Sequence, residues 1–475
     1  MTGDSVPAVV QSLFARSFPL RVAALLFCLL LWPCRGSADV RLPRILADHM
    51  VLQRDQPIHI WGWADAGEKV TVRLKDSVAT TTAKSDGVWE VMLPAQSAGG
   101  PFDLTVTGKN QLQIKDLLIG EVWVCSGQSN MAWVMAHQTR NHTAEIAAAD
   151  NPQLRLFTVP EKSSATDVDD IAAPHAQWLV CSPRTVGYFS AVAYYFGREL
   201  QRELKVPVGL VVAAVSGTRI EPWTPDAGIE SITELASQRK YPSGDLFRGM
   251  IRPLTPLTIR GVIWYQGEGN VGDGFVYYHR MRALIGGWRS AWQRDDLPFY
   301  YVQLAPLNWG GKPVTQLPEI WEAQTAALSI PHTGMVVTTD IGNIGDAHPR
   351  NKQEVGARLA RWALAKTYGR HDVTYSGPLY KSIAIEGNKA RIRFDHATGG
   401  LSSRDGKPLT WFTIAGGDGK LAPAKAEIDG ESVLVSSDTV PHPIAVRFGW
   451  HQIAEPNLMN KAGLPASPFR TDGHE

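Results

Sequence analysis

The chain has 475 residues, with 47 Lys and Arg against 46 Asp and Glu and a formal charge of +1. So even a balance leaves no long-range field to hold phosphate backbones, which argues against nucleic acid as a partner. At 44% hydrophobic and 20% charged residues the composition is globular rather than disordered, and the length suggests about three domains.

The chain opens with Arg16 and Arg21, an apolar run over 22–32, and the small residues Gly36, Ser37 and Ala38. That order predicts a secretory signal over 1–38, leaving an exported protein, periplasmic or extracellular. The run falls short of the ~20 residues that span a bilayer, so no stable membrane insertion is expected. Cys28 and Cys34 leave with the signal. Cys125 and Cys181 remain; an oxidising compartment would permit them to pair, while an apolar strand around Cys125 suits a buried free thiol. No zinc-type spacing and no HExxH motif is present, so neither metal nor cofactor is expected.

Residues 39–114 show short strand-like segments at 51–52, 58–61, 70–72 and 104–106, broken by Asp65-Ala66-Gly67, Asp86-Gly87 and Gly99-Gly100-Pro101. This pattern predicts an N-terminal β-sandwich module. Over 115–370 the rhythm becomes apolar strands (122–125, 208–215, 262–265, 300–304, 335–339) alternating with helical stretches at 189–204, 277–292, 318–328 and 352–367. Fully apolar strands alternating with helices predict an α/β domain whose parallel sheet is flanked by helices. Residues 371–475 return to strands, at 383–385, 390–392, 412–414, 433–435 and 445–447, and predict a second β-rich module.

Sites in open parallel sheets lie beyond the carboxyl ends of the strands. The residues there are Ser126-Gly127-Gln128-Ser129-Asn130-Met131, then Ser216-Gly217-Thr218-Arg219, then Gln266-Gly267-Glu268-Gly269-Asn270, then Asp340 and Asp346-Ala347-His348. A Ser, a Gly, amide side chains and an Asp/His pair on one sheet edge are the parts of a serine hydrolase. Gly127-x-Ser129-x-Met131 is not the Gly-x-Ser-x-Gly elbow of α/β-hydrolases. Asp346 and His348, two apart on a loop, can face one pocket.

Gly120-Glu121-Val122-Trp123 through Ser126 to Met131 resembles the first motif of the sialate O-acetylesterase family, a branch of the SGNH hydrolases. Phe247-Arg248-Gly249-Met250-Ile251 with Gly261 to Glu268 resembles its central motif, and Asp346-Ala347-His348-Pro349-Arg350-Asn351-Lys352 its last. The likeness runs from Asp48-His49-Met50-Val51-Leu52-Gln53 to Gly463 through Arg470, nearly all of the mature chain. It implies an SGNH-hydrolase-like fold and cofactor-free hydrolysis of O-acetyl esters on a sugar or oligosaccharide. By motif, Ser129 is the implied nucleophile, His348 the base and Asp346 its partner; Ser129, Gly217 and Gln266 are the implied oxyanion donors. Related enzymes carry the carboxylate three residues before the His, where this chain has Gly345, so Asp340 stays beside Asp346 as a candidate. Gln128, Arg219, Glu268, Asn270 and Trp133 are candidate substrate contacts, and Arg219 or Arg248 could meet a sialate carboxylate. Plant cell-wall glycans, xyloglucan or xylan fragments, are the alternative substrates.

Two readings from other classes stand beside this one. Gly267-Glu268-Gly269-Asn270-Val271-Gly272 fits the dinucleotide pattern G-x-G-x-x-G, but on the third strand rather than the first. Flanking β modules and 16 Trp would also suit a non-catalytic carbohydrate-binding protein.

Overall fold

Seven strands of an 11-stranded sheet form the α/β layer of the computed structural model, which describes residues 39–171, 173–236 and 242–473. The signal expected over 1–38 therefore lies outside the described residues. In chain order the strands are β1 (Gln111–Gly127), β2 (Asn151–Thr158), β3 (Trp178–Cys181), β4 (Val208–Ala214), β5 (Gly261–Tyr265), β6 (Phe299–Val302) and β7 (Thr333–Val336). In space they run β7-β6-β5-β1-β4-β2-β3. All neighbours are parallel except the edge pair β2 and β3.

The strand sequences explain the burial. β5 (Gly-Val-Ile-Trp-Tyr) and β6 (Phe-Tyr-Tyr-Val) carry no polar alternation and are buried on both faces, as a helix-covered parallel sheet requires. Five helices matter for the site: α1 (Ser129–Ala132), α2 (Ala191–Leu204), α3 (Val276–Trp292), α4 (Gln316–Ala326) and α5 (Lys352–Trp362). Helices α2 and α5 pack on each other, as do α3 and α4. Ser190 starts α2 by accepting the Ala193 N–H at 3.2 Å, and Asn351 starts α5 by accepting that of Glu354 at 3.2 Å. Among the described residues no helix is long and apolar enough to cross a membrane.

The sequence pattern pointed to five strands here; the sheet adds β2 and β3. β2 opens with Asn151-Pro152 and carries a charge, Arg155, which hid its apolar face. That arginine is buried and paired with Asp116 at 2.8 Å. β3 has only four residues. The expected boundary between 114 and 115 falls inside β1, one continuous strand. Its first half pairs with Gly99–Thr107 of the N-terminal module, and its second half is the centre of the α/β sheet. The C-terminal module has two four-stranded antiparallel sheets around its own core, including Ile392, Val433, Val446 and Phe448. Cys125 and Cys181 do not pair: each is a free, buried thiol, and burial pushes Cys181 up to about 12.

Candidate active site

Ser129 stands where β1 turns into α1. Gly127 makes this turn possible: its φ is +138°, and a Cβ there would meet the Tyr265 carbonyl oxygen at 2.1 Å. The Gln128 N–H donates to that same carbonyl at 3.0 Å, so the turn is pinned to β5. Gln128 is buried, and its Oε1 accepts from the N–H groups of Gly269 at 3.3 Å and Gly267 at 3.4 Å.

His348 reaches Ser129 from the loop between β7 and α5. Its Nε2 lies 2.9 Å from Ser129 Oγ. Asp346 Oδ1 accepts the His348 backbone N–H at 2.8 Å and stands 3.6 Å from Nδ1, a charge contact slightly beyond hydrogen-bond length. Catalytic hydrogen bonds of this kind commonly tighten only when substrate binds. Trp133 stacks on the imidazole, centroids 4.7 Å apart and planes 21° off parallel, while its Nε1 donates to the His137 carbonyl at 2.7 Å. One face of Trp133 thus supports the His348 ring. Trp223 and Trp264, by contrast, are fully buried core residues.

Burial holds His348 below the ordinary imidazole range, with Lys352 pushing the same way and Asp346 opposing. Neutral imidazole is therefore the resting form near neutrality, the form a general base needs.

Asp340, the other carboxylate left open by the sequence, is committed elsewhere. It takes a bidentate pair from the buried Arg358, both contacts at 2.7 Å. Asp340→Asn is expected to cost about 3 kcal/mol of stability by leaving that guanidinium short of a partner, while kcat stays within a few-fold. Thermal melts beside steady-state rates check this; a lost rate with an unchanged melt would return Asp340 to the reaction.

Four other candidates, Gln266, Asn270, Arg219 and Arg248, are engaged by groups of the protein itself. The Gln266 amide, expected as an oxyanion donor, points into the protein: Nε2 donates to the Thr218 carbonyl at 3.0 Å and Asn270 Oδ1 at 2.8 Å. Tyr277 closes its other side, donating to Oε1 at 2.8 Å. Gln266 ties the loop carrying Gly217 to the loop carrying Glu268. Asn270 is likewise buried, accepting the Ile220 N–H at 3.0 Å and donating to Asp273 and Glu221 at 2.9 and 3.1 Å. Arg219 pairs with Glu221 at 2.9 Å and Asp273 at 2.8 Å, and Arg280 meets the same two carboxylates at 3.0 Å each. These residues form a connected polar knot under the loops. Glu268 and Asn270 of the G-x-G-x-x-G stretch both face inward, Glu268 toward Asn130 and Asn270 toward Glu221. Arg248 is paired with Asp226 at 3.0 Å and lines a groove of about 1050 Å³ whose walls include neither Ser129 nor His348.

Gly217 is exposed at φ +74°, and a Cβ there would meet nothing within 4 Å. Its loop is anchored by Thr218 Oγ1, which donates to the Val215 carbonyl at 2.9 Å and accepts from Trp223 Nε1 at 3.0 Å. The Glu268 carboxylate is buried although the residue as a whole is part-exposed. Burial raises it above the usual carboxylate range, and Oε1 accepts from Asn130 Nδ2 at 2.5 Å.

Sequence reasoning passed over Asn130 and Lys352. Asn130 Nδ2 also donates to the Ala347 carbonyl at 2.9 Å, and the buried Lys352 ammonium donates to Asn130 Oδ1. In sequence Asn130 looks like part of a turn and Lys352 like the first residue of a surface helix. Only the contact between the loops after β1, β5 and β7 brings them together.

Residues 119–365 match the family model described as carbohydrate esterase, sialic acid-specific acetylesterase. The crystal structure of a carbohydrate acetylesterase from Xanthomonas citri superposes with a TM-score of 0.87 at 39% identity, over 92% of this chain and all of the other. The human sialate O-acetylesterase is 29% identical across 95% of this chain and 96% of its own. The mouse sialate O-acetylesterase is 31% identical across 73% of this chain and 76% of its own. Fold, site and likeness together define a carboxylic ester hydrolase with an SGNH-like sheet, which sets aside the non-catalytic binding protein and the dinucleotide enzyme. More narrowly, the chain belongs to the sialic acid-specific acetylesterase family of carbohydrate esterases.

Proposed function

We propose that the protein removes O-acetyl groups from carbohydrates by a Ser129–His348–Asp346 acyl transfer. The observation that carries this is the 2.9 Å contact between Ser129 Oγ and His348 Nε2 at the carboxyl edge of the sheet. His348 takes the hydroxyl proton as Ser129 Oγ bonds to the acetyl carbonyl carbon. Asp346 fixes the imidazole tautomer and stabilises the imidazolium that forms. The oxyanion is received by backbone N–H groups: that of Ser129, at the first position of α1 where no intrahelical acceptor exists, and that of Gly217. Collapse expels the sugar alcohol, which regains the proton from His348. Water activated by the same base then attacks the acetyl-enzyme and releases acetate, restoring Ser129.

For the sugar, one observation favours a neutral O-acetylated oligosaccharide over a sialate. The two arginines that sequence offered for a substrate carboxylate, Arg219 and Arg248, are both held in ion pairs. Moving Arg219 would take a partner from the buried Glu221 and half-buried Asp273 carboxylates, and Arg248 lines a groove that includes neither Ser129 nor His348. Acetate release from O-acetylated sialic acid and from acetylated xyloglucan or xylan oligosaccharides, with Ser129→Ala as blank, tests both levels. Release from the neutral oligosaccharides is the expected result. Release from sialic acid alone overturns the sugar assignment, and none from any substrate above the blank overturns the acetylesterase reading.

A further inference from the structure

Lys352 has 0% of its surface exposed, an unusual place for an ammonium group. It is the first residue of α5, four positions after His348. Its Nζ donates to Asn130 Oδ1, and Asn130 Nδ2 holds Glu268 Oε1 and the Ala347 carbonyl. Asn130 follows the nucleophile in the chain, and Ala347 precedes the base. The Tyr265 and Trp133 rings lie 5.3 and 5.9 Å from Nζ, and the same Trp133 ring stacks on His348. The charged groups that bear on Lys352 are the Glu268 and Asp346 carboxylates, with the His348 imidazole as the titrating neighbour.

A lysine that served only to fill this space would be a poor choice, because burying an ammonium is costly and Met fills a similar volume without that cost. The acyl-transfer steps assign the ammonium no proton and no bond. What it does have is a fixed position on Asn130, one residue after Ser129, and a neighbouring ring, Trp133, that also stacks on His348.

We propose that Lys352 is a positioning residue whose ammonium, held by Asn130 and linked through it to Glu268 and the Ala347 carbonyl, keeps the imidazole neutral and ready to accept a proton. The proposal rests on His348 being the general base. A positive charge in the same poorly solvated pocket opposes a second one on the ring. Burial brings Lys352 down to about 7, so its charge is present below neutrality, where His348 would otherwise take up a proton, and fades above it. The restraint on forming imidazolium is thus strongest only where protonation threatens the base.

The test is the pH profile of kcat/KM for wild type, Lys352→Met and Lys352→Arg. The acid limb of Lys352→Met is expected to move up by about one pH unit, whatever the height of its plateau. Lys352→Arg, which keeps the charge, should hold the limb near the wild-type position. A folded Lys352→Met with measurable turnover and an unmoved acid limb would overturn the proposal. Should Lys352→Met fail to fold, Glu268→Gln serves: it can keep the Asn130 hydrogen bond yet removes the carboxylate that helps the ammonium stay charged. Its His348 ring, followed by the NMR titration of Cε1–H, should then titrate at higher pH than in wild type; an unchanged midpoint overturns the proposal. The titration needs no turnover. Full activity in Ser129→Ala would instead strike the acyl-transfer reading, so the two failures are separable.

Discussion

Ser129→Ala is expected to lower kcat/KM for acetate release by at least about 10⁴-fold, and His348→Ala by a similar factor. The two groups act as one unit through the 2.9 Å contact between Oγ and Nε2. Without the hydroxyl there is no acceptor for the acetyl group, and without the imidazole the hydroxyl keeps its proton. The double variant should therefore lose little more than either single one, since members of a nucleophile–base pair fail together. Both side chains are only part-buried, so melting temperatures should barely move. Initial rates on a soluble acetyl ester, set beside thermal melts, check this. Turnover above a tenth of wild type in either single variant would remove the assignment.

The pH dependence of the same rates carries a sign. His348 must be neutral to act, and its pocket holds it below the usual imidazole range. Activity should therefore persist somewhat below pH 6.5 and fall as pH drops further and the ring is protonated. Asp346 opposes the depression. Asp346→Asn is thus expected to move the acid limb to lower pH, opposite to Lys352→Met, while cutting the rate by about 10²-fold or more through loss of the carboxylate that orients the ring. An acid limb that stayed in place would mean that Asp346 serves only its Asx-type contact to the His348 N–H.

Much of this architecture is legible in the sequence, and what is not has a physical reason. Apolar runs such as Val208–Ala214 and Gly261–Tyr265 announce buried parallel strands because no position along them tolerates water. Ser129, Asp346 and His348 are legible as candidates because sites in open parallel sheets gather just after such strands. Gln266, Asn270 and Arg219 sit in the same loops and look equally functional in one dimension. Nothing along the chain tells an amide turned toward substrate from one turned toward Thr218 and Asn270. Polar groups that knit loops together and polar groups that touch a ligand have the same composition. Lys352 escaped notice for the opposite reason: a lysine opening a helix is usually solvated, and its burial depends on three loops distant in sequence.

Gly127→Ala is expected to damage fold and catalysis together. The backbone φ of +138° is open to glycine and strained for alanine, and the new methyl would meet the Tyr265 carbonyl oxygen at 2.1 Å. That oxygen cannot swing aside cheaply, because it belongs to the ladder joining β5 to β1 and accepts the Gln128 N–H at 3.0 Å. Gly127 also pairs with Ala214 of β4, and its carbonyl accepts the Val215 N–H at 3.2 Å. Relief of the clash must therefore part three strands at the point where Ser129 emerges. The expected cost is about 3 kcal/mol or more, with a melting temperature several degrees lower. Even in the folded fraction kcat should fall by about 10²-fold, because a shift of about 1 Å in the nucleophile spoils its alignment with His348. Gly217→Ala is the control. Its φ of +74° also favours glycine, but the added methyl meets nothing within 4 Å, so only local strain of about 1 kcal/mol is expected. A Gly127→Ala enzyme that melted and turned over like wild type would show that β1 and β5 can separate at this edge without moving Ser129, and would leave the close approach of the two strands without a role in placing the nucleophile.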